Sequence, residues 1–67
     1  GVGKIAQKVV EEAGETAIAA VEGKSEEVNS EVADLLYHIL TLLAATNVSP
    51  KAVWDELAKR RQGIGLH

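Results

Sequence analysis

Residues 26–46 contain neither proline nor glycine and are too apolar for an ordinary surface helix. At about 100° of rotation per residue, Val28, Val32, Ala33, Leu35, Leu36, Ile39, Leu40, Leu42 and Leu43 cover well over half of such a helix. Glu27, Glu31, Asp34, His38 and Thr41 form one narrow stripe along the remainder. A helix this apolar has to be covered on several sides. The chain has only 67 residues in all, and a domain near that size buries only about 60% of its unfolded surface. Three short helices cannot cover themselves. The expectation is a central helix in a dimeric bundle, with the acidic stripe facing an internal cleft.

The rest of the chain reads as two more helices. The first spans about Gly3 to Glu22, with Val2, Ile5, Val9, Ala13, Thr16 and Ala20 at the 3- and 4-residue spacing of an amphipathic face. Gly23 follows as a C-terminal cap, and Ser25 is placed to cap the second helix, about Glu26 to Thr46. Gly14 inside the first helix either lets a neighbour approach or is tolerated there. Asn47-Val48 breaks the second helix, and Ser49-Pro50 starts a third, to about Gln62. Ala52, Val53, Leu57 and Trp54 of that helix point inward, and Gly63 and Gly65 end it. No strand pattern, repeat or low-complexity segment is present. The fold class is all-α, in one domain over residues 1–67.

Composition narrows the function. A net charge of −3 is unlike the basic face of a nucleic-acid binder. The longest stretch free of Asp, Glu, Lys and Arg, Leu35 to Pro50, is short of the ~18 apolar residues of a membrane span and is interrupted by polar side chains. No signal peptide is evident. With no cysteine, disulfides and thiolate zinc sites are excluded, which fits a reducing compartment.

Four acids stand at two matched spacings, Glu12-x-x-Glu15 and Glu31-x-x-Asp34. Residues three apart share a helix face, about 5–6 Å apart at Cβ. Two packed helices carrying such pairs would converge four carboxylates on one point, which is costly unless a cation neutralises them. For one pair alone, a solvated face is the ordinary reading, and Lys8 with Glu12 is an ordinary helix ion pair. The second pair is flanked by Val32, Ala33, Leu35 and Leu36, so turning it to solvent would strand apolar surface. Hard oxygen donors suit Mg²⁺, which commonly binds a few carboxylates together with substrate phosphates. Lys4 and Lys8 share the face of Glu11, Glu12 and Glu15 and are placed to grip those phosphates. His38, one turn beyond Asp34, is either a substrate contact or supporting partner, or a histidine hydrogen-bonded within the bundle. Tyr37 faces elsewhere, as core with its hydroxyl at an edge. Trp54 reads as core or dimer contact rather than a base-stacking surface, and Lys59-Arg60-Arg61 as either a phosphate contact or a solvated helix end.

These residues carry a family resemblance. Lys4-Ile5-Ala6-Gln7-Lys8-Val9, Glu11-Glu12-Ala13-Gly14-Glu15 and Glu31-Val32-Ala33-Asp34-Leu35-Leu36-Tyr37-His38 resemble the phosphoribosyl-ATP pyrophosphohydrolases of histidine biosynthesis. More widely, the chain looks like the MazG-type all-α nucleotide pyrophosphohydrolases, marked by E-E-x-x-E and a later E-x-x-D. Here 15 residues separate Glu15 from Glu31. The likeness runs from Lys4 through Arg60-Arg61. It implies hydrolysis of the α–β phosphoanhydride of phosphoribosyl-ATP, giving phosphoribosyl-AMP and pyrophosphate, by a cytoplasmic, Mg²⁺-dependent homodimeric bundle. Carried over, Glu12, Glu15, Glu31 and Asp34 would be metal ligands. Glu11 or a ligand carboxylate such as Glu12 would orient or deprotonate the water. Lys4, Lys8, His38 and Arg61 would meet the substrate. The chain departs from the family at Val10, where glycine is common, and at Gly14, where a larger residue is. The family's N-terminal helix would precede residue 1, and many relatives are fused to a zinc cyclohydrolase. Two rival readings share the pattern: a house-cleaning dNTP pyrophosphohydrolase and a non-enzymatic helical dimerisation module.

Overall fold

The chain, described by a computed structural model over residues 1–64, forms three helices: α1 (Val2–Val21), α2 (Ser25–Ala45) and α3 (Pro50–Ile64). No strand occurs among the described residues, so the fold is all-α as expected.

Both interhelical breaks use the same device. Gly23 takes the left-handed conformation (φ 71°), and its N–H donates to the Ala20 carbonyl while the Lys24 N–H donates to that of Ala19. Asn47 repeats this at φ 60°, with the Asn47 and Val48 N–H groups donating to the carbonyls of Ala44 and Leu43. Such caps satisfy the last helix carbonyls and need a residue that tolerates positive φ, which glycine and asparagine do best. Ser25 does not cap α2. It is the first helical residue, the cap position falls on Lys24, and no side chain caps it. The connection is too short for more, since Lys24 already completes the end of α1. Ser49 does cap: its Oγ accepts from the Lys51 N–H at 3.1 Å. Ser49→Ala should therefore cost about 1 kcal/mol, read as a lower melting temperature by circular dichroism. The third helix continues through Gly63 to Ile64 rather than stopping there, because a glycine costs a helix only about 1 kcal/mol relative to alanine. Gly65 lies outside the described residues.

The hairpin seam sets the site. Along α1 a covered row runs through Ile5, Val9, Glu12, Thr16 and Ala19, with Ala6 beside it. Along α2 one runs through Val28, Glu31, Leu35, His38 and Leu42, with Ile39, Thr41 and Leu43 beside it. Both series run at spacings of three and four, as two packed helices require. The buried face of α1 is thus rotated from the expected one: Glu12 and Ala19 enter it, while Ala13 and Ala20 stay exposed.

Beyond the seam, one copy covers little. Ala19 alone counts as buried among the described residues, at 3% exposure. The third helix turns 113° from α2, and Ala52, Trp54 and Leu57 stay exposed, contrary to the inward placement expected of them; Val53 is half-buried. The radius of gyration is 13.9 Å, against about 11 Å for a compact chain of this length. Exposed surface is 5203 Å², against about 4,100 Å² for a folded monomer of this mass. A Cβ built on Gly14 meets nothing within 4 Å, so no described residue of the same chain uses that glycine for close approach. Among the described residues, no single helix is long and apolar enough to cross a membrane.

Candidate active site

Glu12, in the middle of the seam, is 12% exposed at its side chain. Across from it, α2 presents half-buried Glu31 and exposed Asp34. One carboxylate oxygen from each of the three lies within 4.8 Å of the others. Glu15, the fourth acid expected here, stands beside Glu31 but outside that group of three. The cluster is electrostatically strained. The Glu31 carboxyl is held above the ordinary carboxylate range, first by partial loss of water, then by the negative charges of Glu15 and Glu12, a hydrogen bond shared with Glu15, and the charge of Asp34. A divalent cation would relieve this. Oxygens sharing an octahedral ion at ~2.1 Å stand roughly 3.0 Å apart when adjacent, so these three would each draw in by up to about 1 Å to share one. Hard carboxylate donors without nitrogen or sulfur fit Mg²⁺.

A groove of about 490 Å³ opens beside the cluster, within the ~300–1,000 Å³ of small-molecule sites. Its α1 wall carries Lys4, Ile5, Gln7, Lys8 and Glu11, and its α2 wall Tyr37, His38 and Thr41. His38 joins the groove to the cluster, with Nε2 4.0 Å from Glu12 Oε1. Lys8 pairs with Glu11 at 3.6 Å and not with Glu12, the partner its spacing suggested. Gln7 Nε2 also donates to Glu11 Oε2, at 3.2 Å. Glu11 therefore belongs to the groove wall and not to the three gathered acids. Arg61 is exposed in the last turn of α3 and does not line the groove.

Tyr37 is where the sequence reading missed. It is 67% exposed and lines the groove, instead of serving as core. The signal was present in its spacing: Tyr37 lies three residues after Asp34 and four before Thr41, on the polar side of α2.

A family model of the phosphoribosyl-ATP pyrophosphohydrolases matches residues 1–61, nearly the whole chain. The chain belongs to that family. Among its family relatives, the phosphoribosyl-ATP pyrophosphatase of Azospirillum brasilense is 52% identical over 98% of this chain and 60% of its own length. That of Granulibacter bethesdensis is 53% identical over 98% of this chain and 41% of its own. The histidine biosynthesis bifunctional protein HisIE of Haemophilus influenzae is 49% identical over 100% of this chain and 30% of its own. The chain thus spans less than two thirds of each of these relatives. No solved structure matches it.

Proposed function

We propose that the chain hydrolyses phosphoribosyl-ATP at its α–β phosphoanhydride, releasing pyrophosphate and phosphoribosyl-AMP, as a Mg²⁺-dependent homodimer in the cytoplasm. The observation that carries this reading is the meeting of Glu12, Glu31 and Asp34 beside a lysine-walled groove in a chain of this family.

When bound by Glu12, Glu31 and Asp34, with Glu15 alongside, Mg²⁺ would neutralise the gathered acids and the charge developing on phosphate oxygens. Lys8, nearest the cluster along α1, orients the reacting phosphates, and Lys4 holds those one turn further on. Water adds to phosphorus as the bond to the leaving pyrophosphate breaks, and a carboxylate takes its proton. Glu12 suits that role better than Glu11, which Lys8 and Gln7 already engage. His38 stands beside Glu12, with Nε2 4.0 Å from Oε1, and would support it once the two close to hydrogen-bond distance. Arg61 remains a candidate substrate contact only through assembly, since it lies off the groove of its own chain.

The second copy follows from uncovered surface. The chain exposes about 1,100 Å² more than a folded monomer of its mass, comparable to one partner's share of a stable interface. Val32, Leu36 and Leu40 form an exposed row on α2, at spacing four.

The test is pyrophosphate release, compared between phosphoribosyl-ATP and a panel of dNTPs with Mg²⁺. The expected result is a kcat/KM for phosphoribosyl-ATP well above every dNTP. A dNTP preferred over it would make the chain a house-cleaning enzyme, and no turnover on any nucleotide would leave only a dimerisation module. Within this reading, Lys8→Ala should raise KM for the nucleotide about tenfold or more, on the scale of a lost charge-assisted hydrogen bond, while the Mg²⁺ dissociation constant measured without substrate changes little. Equal losses in both would remove Lys8 from the phosphate site.

A further inference from the structure

We infer that Tyr37 is the surface on which the base of the bound nucleotide stacks, so that phosphates lie along the lysine wall of α1 and the base against α2. The inference rests on the nucleotide-hydrolysing reading above and deepens it by assigning the residue that holds the base.

The two groove walls differ in chemistry. Lys4 and Lys8 on α1 suit a polyphosphate. The α2 wall carries no Asp, Glu, Lys or Arg, and its largest member is the Tyr37 ring. That ring is 67% exposed although α2 has an apolar side that could take it. Around the helix Tyr37 sits about 40° from Thr41, about 60° from Leu40 and about 100° from Leu36, so it lies nearer the groove side than the row of uncovered leucines, and it lines the groove. Its orientation is set locally: the Tyr37 and His38 rings meet edge to face, with centroids 5.3 Å apart and planes at 74°. A ring held this way offers a flat face at small entropic cost. The Tyr37 hydroxyl makes no hydrogen bond among the described residues, so the exposed ring is not there to position its oxygen against the protein. Ile5 supplies apolar surface on the facing wall, and every base has a π-face that stacks on an aromatic side chain.

The axial distances agree. Tyr37 lies three residues past Asp34, about 4.5 Å along α2. A base at that level and a polyphosphate on the facing wall both remain within one nucleotide's reach of the carboxylates.

The test separates base from phosphate. Calorimetric titration with Mg²⁺ present compares ATP, the nucleotide portion of the proposed substrate, with inorganic tripolyphosphate, which has no base. Tyr37→Ala should weaken ATP about tenfold or more, and tripolyphosphate less than about twofold. Tyr37→Phe should bind ATP like the parent chain. Tyr37→Leu keeps apolar bulk without the ring; it should show the same selective loss and serves if Tyr37→Ala does not fold. Unchanged ATP affinity, or equal loss for both ligands, would overturn the assignment. So would a loss of ATP affinity that tracks dissociation into single chains by sedimentation, since Tyr37 would then be an interface residue. A parent chain that binds neither ligand would instead overturn the nucleotide reading itself, whereas one that binds both with Tyr37 indifferent would remove this inference alone.

Discussion

Glu31→Gln should lower turnover of phosphoribosyl-ATP by a factor on the order of a thousand and at the same time raise the melting temperature of the metal-free protein. The two effects have one cause. The Glu31 carboxyl is pushed toward the neutral form first by partial loss of water and then by the charges of Glu15, Glu12 and Asp34. An uncharged amide of the same shape removes that repulsion, so the apo fold gains. The amide also loses a negative donor for a divalent ion, and electrostatic stabilisation of this kind is commonly worth about 10²–10³ in rate. Activity assays and melts on one variant check both. A Glu31→Gln chain with near-normal turnover would show that Glu31 holds no catalytic ion. One that melts lower without metal would show that the acids are not repelling one another.

Proton linkage gives the same cluster a pH signature. A carboxyl whose folded pKa is raised binds its proton more tightly in the folded state than in the unfolded chain. Between the ordinary carboxylate value and the raised one, stability from Glu31 therefore falls as pH rises. Above that window the penalty is complete; below it, absent. Metal-free parent protein should gain stability relative to Glu31→Gln as pH drops through the window. Mg²⁺ should act in the opposite sense, because protons compete for the same oxygens. At a hundredfold excess over its dissociation constant an ion adds about 2.7 kcal/mol to the folded state, enough to shift the melt of a domain this small by about 10 °C or more. Glu31→Gln should lose most of that shift.

How much of this was legible in the sequence depended on whether the deciding contact was local. Helix number and type follow from 3.6-residue periodicity and from Gly23, Asn47, Ser49 and Pro50, each acting on its own neighbours. Ser25 misled because Lys24 already serves the end of α1, a clash between two local rules. The rotated face of α1 had a different origin. Ala13 and Ala20 score as apolar by type, but burying an alanine gains little, and seating Ile5, Val9, Thr16 and Ala19 in the seam carries Glu12 in with them despite its repulsion with Glu31. The spacing of the acids was readable, yet their convergence depended on how the two helices align across the hairpin. Tyr37 was misplaced because an aromatic residue in an apolar helix was read as core, when rotation about the helix axis puts it beside Thr41. Arg61 could not be placed at all from the sequence, because the 113° turn between α2 and α3 comes from a break whose angle no residue pattern specifies.

Leu40→Asp should leave the chain largely unfolded at micromolar concentration, although Leu40 lies on the side of α2 away from the acids. Leu36 and Leu40 are 49% and 48% exposed in one copy. They sit about 160° and 120° around the helix from Asp34. In an isolated chain, substituting either would fall within about 0.5 kcal/mol of neutral, as surface changes do. If a second copy covers them, the substitution loses roughly 1.5–3 kcal/mol of apolar burial and places a carboxylate where water is excluded, costing several kcal/mol more. A chain this small has only about 3–10 kcal/mol in total. The same dependence makes the parent protein's melting temperature rise with concentration. Helical signal, sedimentation and activity should therefore fail together in Leu40→Asp, even though no group in the proposed chemistry has been touched. A variant that stays helical, monomeric and active would show that the exposed leucines are simply surface, and that the hairpin of α1 and α2 stands without a partner.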